Sequence, residues 1–387
     1  MREFEVTIQA IALCIQAQVP VLTKGPPGVG KTALMGALME ALCDRHHVSI
    51  AALHEPTEYG GFPVPHAADQ PGGKEYVAFV PTSWQLRLAG ADRRAGLMLD
   101  ELSNAPPATR AAAMRGIHEH VWGETEISKL STVAAMNPPD IAESGYELSA
   151  PLANRFCHVD WNMPADFWLD QLMADFPPIA PIKLPANWRE EQLPRAKAAV
   201  IGFGKARPAA LQALPNEAAL RAGAWPSYRS WTMAIELLAA CLSIGETFAQ
   251  SAQGTGLSPL VQMLVVGCVG GAAATEFFTY WSTMDLPDPE ALLRDPDQLV
   301  LPERGDKVHA ILAAVVAAVV GKNTPERWAT AMEIMGMASD QGKADIAAAA
   351  VRTIAMSKYR PEPIPARAAK SIFKFQSILK QAGLLKQ

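Results

Sequence analysis

Residues 25–32 read Gly25-Pro26-Pro27-Gly28-Val29-Gly30-Lys31-Thr32. This run matches the Walker A pattern and suits one task, holding a chain of phosphates. Successive backbone N–H groups, backed by the N-terminus of a following helix, make a concavity that attracts anions. Gly28 and Gly30 let the chain curl with no side chain in the way. Lys31 is spaced to reach the β- and γ-phosphates, and Thr32 offers a hydroxyl to Mg²⁺. Further on, the apolar run Gly96-Leu97-Met98-Leu99 ends in Asp100-Glu101, a Walker B arrangement. Asp100 can hold the Mg²⁺ shell, and Glu101 is the candidate base toward an attacking water. A third run, Ala134-Ala135-Met136, ends in Asn137-Pro138. The Asn137 amide at that tip can orient the same water. Together these residues predict binding and hydrolysis of ATP with Mg²⁺.

Such a loop needs a strand to deliver it and a helix to leave it. The apolar run at 19–23 predicts the strand, and the pattern over 31–43 predicts the helix. An amphipathic helix is expected at 5–16. Residues 47–53, 95–99, 130–136 and 156–160 read as further strands, and 108–120 as a helix. The strand at 95–99 is hydrophobic throughout, as in the middle of a parallel sheet. Strand and helix in alternation predict an α/β protein, with a three-layer αβα P-loop NTPase core and a parallel sheet. Between 55 and 81 the alternation lapses into a Gly- and Pro-rich stretch, with a hairpin expected around 71–73. A loop of that length in a compact domain is functional or disordered. After Asp160 the chain turns Ala-rich and helical, punctuated by Pro-containing linkers at 177–185, 208–215, 287–302 and 361–365. The expected division is an ATPase core over 1–160, a helical lid over 161–250 and a helical C-terminal extension over 251–387. A Lys-bearing helix at 366–384 closes the chain.

The chain has 387 residues, 34 basic and 39 acidic, for a formal charge of −5. That balance argues against a long-range pull toward nucleic acid or anionic membrane. Cys14, Cys43, Cys157, Cys241 and Cys268 are widely spaced, with no metal-ligand pairing. They read as buried free thiols in a reducing compartment. The first residues lack a positive leader and cleavage site, so a cytoplasmic location is expected. The apolar stretches at 261–278 and 310–320 read as buried helices, with no membrane span. His118 and His120 stand two apart on a predicted helix and do not share a face, which argues against a metal site. Glu55 and Glu58 either line a loop or approach the lytic water.

Over about residues 6–240, these motifs together resemble the AAA+ superfamily, and within it the MoxR-like ATPases. Asp100-Glu101-Leu102-Ser103-Asn104-Ala105 is similar to that family's DE-[IL]-N-R-A segment, with Asn shifted by one position and Arg missing. Ala134-Ala135-Met136-Asn137-Pro138 is similar to its ATxNP stretch, with Ala135 in place of Thr. Residues 146–156, ending in Asn154-Arg155-Phe156, are similar to a family segment ending in DRF. The resemblance implies that Arg155 is an arginine finger toward the neighbouring subunit's nucleotide, preceded here by Asn154 instead of Asp. Trp225-Pro226-Ser227-Tyr228-Arg229-Ser230-Trp231 resembles the sensor-two segment, with Tyr228 in place of Pro. It implies that Arg229 reaches the γ-phosphate from the lid of the same subunit. Glu58-Tyr59-Gly60-Gly61 with Phe79-Val80-Pro81 is similar to the family's insert near the central pore. The implied assembly is a homo-oligomeric ring, hexameric, with ATP at its interfaces. The implied work is remodelling or maturing client protein complexes, with a separate von Willebrand factor A domain protein as a partner.

Two other functions use the same ATPase core. One is a nucleic-acid motor or loader, against which stand the acidic charge and the lack of a basic strip interleaved with aromatics. The other is a switch whose nucleotide sets an assembly state with slow turnover.

Overall fold

The computed structural model describes residues 3–67, 74–138, 141, 147–248, 250–251, 254–282, 287, 289–356 and 359–381. Its centre is a parallel sheet of β1 (Val21–Lys24), β2 (Arg45–Ile50), β5 (Ala95–Asp100), β8 (Leu130–Met136) and β9 (Cys157–Asp160), in the order β2-β5-β8-β1-β9. Side chains alternate across a strand, and the burial follows that period of two. Val21, Met98, Val133, Ala135, Cys157 and Val159 enter one apolar core. Leu22, Leu97, Leu99, Ala134 and Met136 enter the core on the opposite face. Each inner strand is therefore apolar on both sides, which is why the sequence shows continuous hydrophobic runs there.

On the first face lie α1 (Glu3–Ala17) and α2 (Lys31–Leu42). On the second lie α3 (Pro56–Gly60), α4 (Ser83–Ala89) and α5 (Pro107–Glu119), which bury Tyr59, Trp84, Leu88 and Ile117. The expected αβα core with a parallel sheet is thus present. Where the alternation lapsed, the chain makes α3 and an antiparallel hairpin of β3 (Phe62–His66) and β4 (Tyr76–Val80). The expected turn at 71–73 lies outside the described residues. Glu55 and Glu58 form a capping box on α3, with Glu58 Oε2 also 2.9 Å from His54 Nδ1. Both carboxylates thus serve the end of a helix. A small ribbon of β6 (Val121–Trp122) and β7 (Thr125–Glu126) leads into β8.

Beyond α6 (Ala150–Ala153) and β9, the chain is almost wholly helical. It runs through α7 (Ala165–Met173), α8 (Trp188–Ala206), α9 (Ala218–Arg221), α10 (Tyr228–Ser243), α11 (Pro259–Val269) and α12 (Gly271–Ser282). The apolar stretch at 261–278 is two helices, because Gly270 at φ 79 ends α11. No described helix is long and apolar enough to cross a membrane.

The helices of residues 251–387 pack in two cores. Helices α11 and α12 bury Leu260, Leu264, Val265, Ala274 and Phe277 in the same core as α1 and β9. A separate core gathers Leu292, Ile311, Trp328, Met332, Ile354 and Phe375. Its helices are α13 (Pro289–Arg294), α14 (Gly305–Gly321), α15 (Pro325–Asp340), α16 (Ala344–Ile354), α17 (Ala369–Lys374) and α18 (Gln376–Gln381). The closing helix expected at 366–384 is a short 3-10 turn followed by α17 and α18, and residues 382–384 lie outside the described residues. All five cysteines are free and buried. Cys157 Sγ donates to Leu264 O at 3.7 Å inside the first core, which also holds Cys14 and Cys268.

Candidate functional site

Strands β1, β5 and β8 all end at one edge of the sheet, and each delivers part of a polar cluster. At the end of β1, the Gly25 N–H donates to Met136 O at 3.2 Å. A Cβ at Gly25 would lie 2.7 Å from Trp161 O and 2.8 Å from Trp161 Cβ, so only glycine allows this approach. Trp161 also donates from Nε1 to Val29 O at 3.0 Å, pinning the loop from behind. Gly28 and Gly30 sit at φ 77 and 73, a left-handed backbone that costs other residues about 1–2 kcal/mol. Pro27 is exposed on the outside of the curl.

Lys31 opens α2 and is 8% exposed. Its Nζ donates to Gly25 O at 2.8 Å, Pro26 O at 2.6 Å and Asn137 Oδ1 at 3.1 Å. Burial holds this ammonium below its ordinary value, with Asp100 acting the other way. Next to it, Thr32 Oγ1 donates to Asp100 Oδ2 at 2.6 Å. Asp100 Oδ1 accepts from the Glu101 N–H at 2.9 Å. Glu101 itself is exposed at φ 53, a backbone region few non-glycine residues occupy. The Leu102 N–H donates to Ala135 O at 3.1 Å, which locks the ends of β5 and β8 together. Lys31, Thr32, Asp100 and Asn137 are thus brought together, with Glu101 on the rim.

The donor set suits a magnesium phosphate. Lys31 is a buried cation held only by neutral oxygens, so a phosphate is a stronger acceptor than what it has. Thr32 and Asp100 offer hard oxygen donors of the kind Mg²⁺ takes alongside waters and substrate phosphates.

Arg155 and Arg229 lie elsewhere. Arg155 precedes β9, whose Cys157 pairs with Val21 and whose Asp160 pairs with Lys24. Arg155 is therefore at the opposite edge of the sheet from the phosphate loop, about 13 Å away along the strand alone at ~3.3 Å per residue. Its Nη1 donates to Pro151 O at 2.6 Å, and its Nε is buried without a hydrogen-bond partner. Burial and the nearby Arg229 both hold Arg155 below its ordinary value, with Glu119 opposing. The same two arginines act on His118 at the end of α5, whose imidazole is held down first by loss of solvent and then by Arg229 and Arg155. Neither arginine has an ion pair among the described residues. Arg229 therefore stands near Arg155.

Asn154 builds this second cluster, and sequence reading noted it only as a departure. It is 3% exposed. Its Nδ2 donates to Trp225 O at 2.9 Å, and its Oδ1 accepts from Ser227 Oγ at 2.5 Å. Ser227 is also the N-cap of α10: its Oγ accepts from Ser230 N at 3.1 Å while Ser230 Oγ accepts from Ser227 N at 2.9 Å. The Ser227-x-x-Ser230 spacing was the available signal for that cap. Tyr146, at the start of the family-like segment, lies outside the described residues. His120 ends α5 at φ 58, and no metal-holding group of three or more side chains occurs among the described residues.

Comparison with known proteins agrees with this architecture. The sequence pattern of the AAA domain (dynein-related subfamily) matches residues 20–156. The fold is that of an α/β P-loop NTPase core with a parallel sheet, and residues 20–156 carry the AAA-type pattern. Among solved structures, the chain is similar to a candidate ATPase from Cytophaga hutchinsonii at 12% identity and a TM-score of 0.39, over 69% of this chain and 81% of that one. It is also similar to a full-length MCM homologue from Methanopyrus kandleri at 14% identity and a TM-score of 0.37, over 68% of this chain. It spans 55% of the length of that homologue. No curated protein matches the chain.

Proposed function

We propose that the protein hydrolyses ATP with Mg²⁺ as a homo-oligomeric ring, hexameric like the MoxR-like ATPases it resembles, and remodels or matures partner protein complexes. The observation that carries this reading is the split of the site. Lys31, Thr32, Asp100 and Asn137 converge at one edge of the sheet, and Arg155 lies near Arg229 away from it. A ring places one edge against the other edge of the next subunit, which completes each site.

In this reading, Lys31 exchanges its carbonyl partners for phosphate oxygens. Thr32 and Asp100 would hold Mg²⁺, which would supply neutralising charge to the β- and γ-phosphates. Asn137 orients the water, and Glu101 accepts its proton as the γ-phosphoryl leaves ADP. Arg155 of the adjacent subunit, with Arg229 from the lid, offsets the charge that develops on that group. The exposed apolar residues of the β3–β4 hairpin, among them Phe62, Val77 and Phe79, support a protein-facing surface for the client. A separate von Willebrand factor A domain protein is the expected partner.

The test is turnover against protein concentration, with Glu101→Gln, Arg155→Ala and their equimolar mixture. Specific activity should rise with assembly, and Glu101→Gln should lose roughly 10²–10⁴-fold. The mixture should exceed the sum of its parts, because some interfaces pair an intact Glu101 with an intact Arg155. Concentration-independent turnover with no gain on mixing would sink the shared-site mechanism.

A further inference from the structure

The hairpin of β3 and β4 has two edges of unlike chemistry. Its register sets Phe62 opposite Val80, Val64 opposite Ala78 and His66 opposite Tyr76, with Pro63 facing Phe79 and Pro65 facing Val77 between them. In an antiparallel pair, facing residues alternate between those that exchange both N–H···O bonds and those that exchange none. Proline has no N–H to exchange. The bonded pairs are therefore those of Phe62, Val64 and His66. It follows that the N–H and C=O groups of Val77 and Phe79 turn outward, away from β3. Among the described residues, no backbone hydrogen bond from outside the hairpin reaches them.

Sheets guard their edges with proline or with charge. On β3 the outward positions fall on Pro63 and Pro65, which closes that edge to strand pairing. The edge strand β2 of the main sheet begins with exposed Arg45 and His46. Strand β4 has neither device: it carries no proline and no charged side chain. Val77 and Phe79 are 53% and 43% exposed on one face, and Tyr76 and Val80 are 53% and 43% exposed on the other, so both faces beside this edge are apolar and open. The base of the hairpin is fixed. The buried Gln85 side chain donates to Tyr59 O at 2.9 Å before β3 and accepts from Thr82 N at 2.8 Å after β4. The edge is thus presented in one place, which lowers the ordering cost of binding.

We propose that the open edge of β4 captures clients by strand addition, pairing Val77 and Phe79 with an extended, uncharged, proline-free segment of polypeptide as a third strand. This deepens, and rests on, the reading of the hairpin as the client-facing surface. The bonding pattern selects the occupant. Outward donors and acceptors repeat along β4 as they do along the backbone of an extended peptide. Neither strand bears Lys, Arg, Asp or Glu. Phosphates of a nucleic acid therefore meet no cation there, and a charged segment would lose hydration without gaining a partner. Main-chain bonds supply affinity whatever the side chains, which suits a machine that acts on exposed segments of many sequences.

Fluorescence anisotropy of the full chain with a labelled ten-residue peptide of alternating valine and threonine tests this. The peptide should bind the wild type. Val77→Pro and Phe79→Pro each remove an outward N–H and spare the bonds to β3, so each should weaken binding by about 5- to 150-fold. Val77→Ala and Phe79→Ala keep the N–H and should weaken it by only about 1.5- to 5-fold. The peptide N-methylated at every second residue keeps one free edge and should still bind, whereas N-methylation at every residue should abolish binding. That comparison uses wild-type protein alone and does not depend on any variant folding. If the proline variants bind as the wild type does, or fall no further than the alanine variants, strand addition fails. It fails equally if the fully N-methylated peptide binds as well as its parent. A twenty-nucleotide run of thymidine, or a peptide with glutamate in place of threonine, binding as tightly as the parent would show that the occupant is wrong. ATP turnover with no capture of the peptide overturns the edge assignment and leaves the ATPase reading standing. Capture without turnover in any assembled sample does the reverse.

Discussion

The Ser227 hydroxyl donates to Asn154 Oδ1 across 2.5 Å, and both residues are buried. That contact joins the segment before β9 to the N-terminus of α10. It places Arg155 and Arg229, each within two positions of the contact, on one patch. Asn154→Ala should therefore act in two ways. It removes the buried acceptor of the Ser227 hydroxyl and one of the two donors to the Trp225 carbonyl, which keeps Ser230 Oγ at 3.0 Å, costing about 1–3 kcal/mol of stability by denaturant titration. It also frees the two arginines from each other, so turnover in assembled protein should fall more than the loss of folded protein explains. Ser227→Ala should reproduce the turnover defect, together with a weaker helix cap. A variant that is destabilised yet fully active would show that Asn154 is a packing residue only.

Two glycines of the loop should fail for different reasons. Gly25→Ala pushes a methyl group into Trp161, 2.7 Å from its carbonyl oxygen. Overpacking of that kind costs about 1–3 kcal/mol, visible as a lower midpoint without nucleotide. Gly30→Ala meets nothing within 4 Å, so its cost is backbone strain of about 1–2 kcal/mol. Midpoints measured with and without Mg-ATP should separate the two. Gly30→Ala should also lose most of the nucleotide-dependent rise.

The Thr32–Asp100 contact at 2.6 Å marks where a divalent ion would be held. Asp100→Asn keeps the shape and removes the charge. Turnover should fall roughly 100-fold or more, and the Mg²⁺ concentration for half-maximal rate should rise. Removing Mg²⁺ with a chelator should abolish wild-type turnover. An Asp100→Asn protein with unchanged Mg²⁺ dependence would contradict this assignment.

Asp44 offers a pH test away from the site. Its Oδ2 accepts from Arg93 N at 2.7 Å and its Oδ1 from Arg94 N at 2.9 Å, tying the turn before β2 to the turn before β5. The Arg93 N–H bond leads in holding its carboxyl down to about 2, from an ordinary 3.8. A depressed folded value means the contribution is present above 3.8 and is lost as pH falls toward 2. Asp44→Asn should be less stable than wild type in urea at pH 5, and the gap should shrink between pH 4 and pH 2. A gap that stays constant over that window would mean the charge is not what matters.

Much of the phosphate half was legible in the sequence, because its chemistry is local. A phosphate loop is a property of consecutive backbone groups, and the apolar runs ending in Asp100 and Asn137 announce buried parallel strands whatever surrounds them. The strand edges were read to within a few residues for the same reason. What the tertiary structure alone decided is every relation between distant segments. Arg155 and Arg229 are far apart in the chain, and the contacts of Asn154 with Trp225 and Ser227 join the segments that carry them. Glu55 and Glu58 had the charge for catalysis, and only the α3 capping box shows that the chain uses them to end a helix. Helices α11 and α12 share the composition of the extension, yet they pack with α1 and β9. Hydrophobic periodicity states that a face is buried and is silent about its partner, since apolar burial is non-directional. The choice of partner rests on shape and on a few buried hydrogen bonds, and those exist only once the chain has folded.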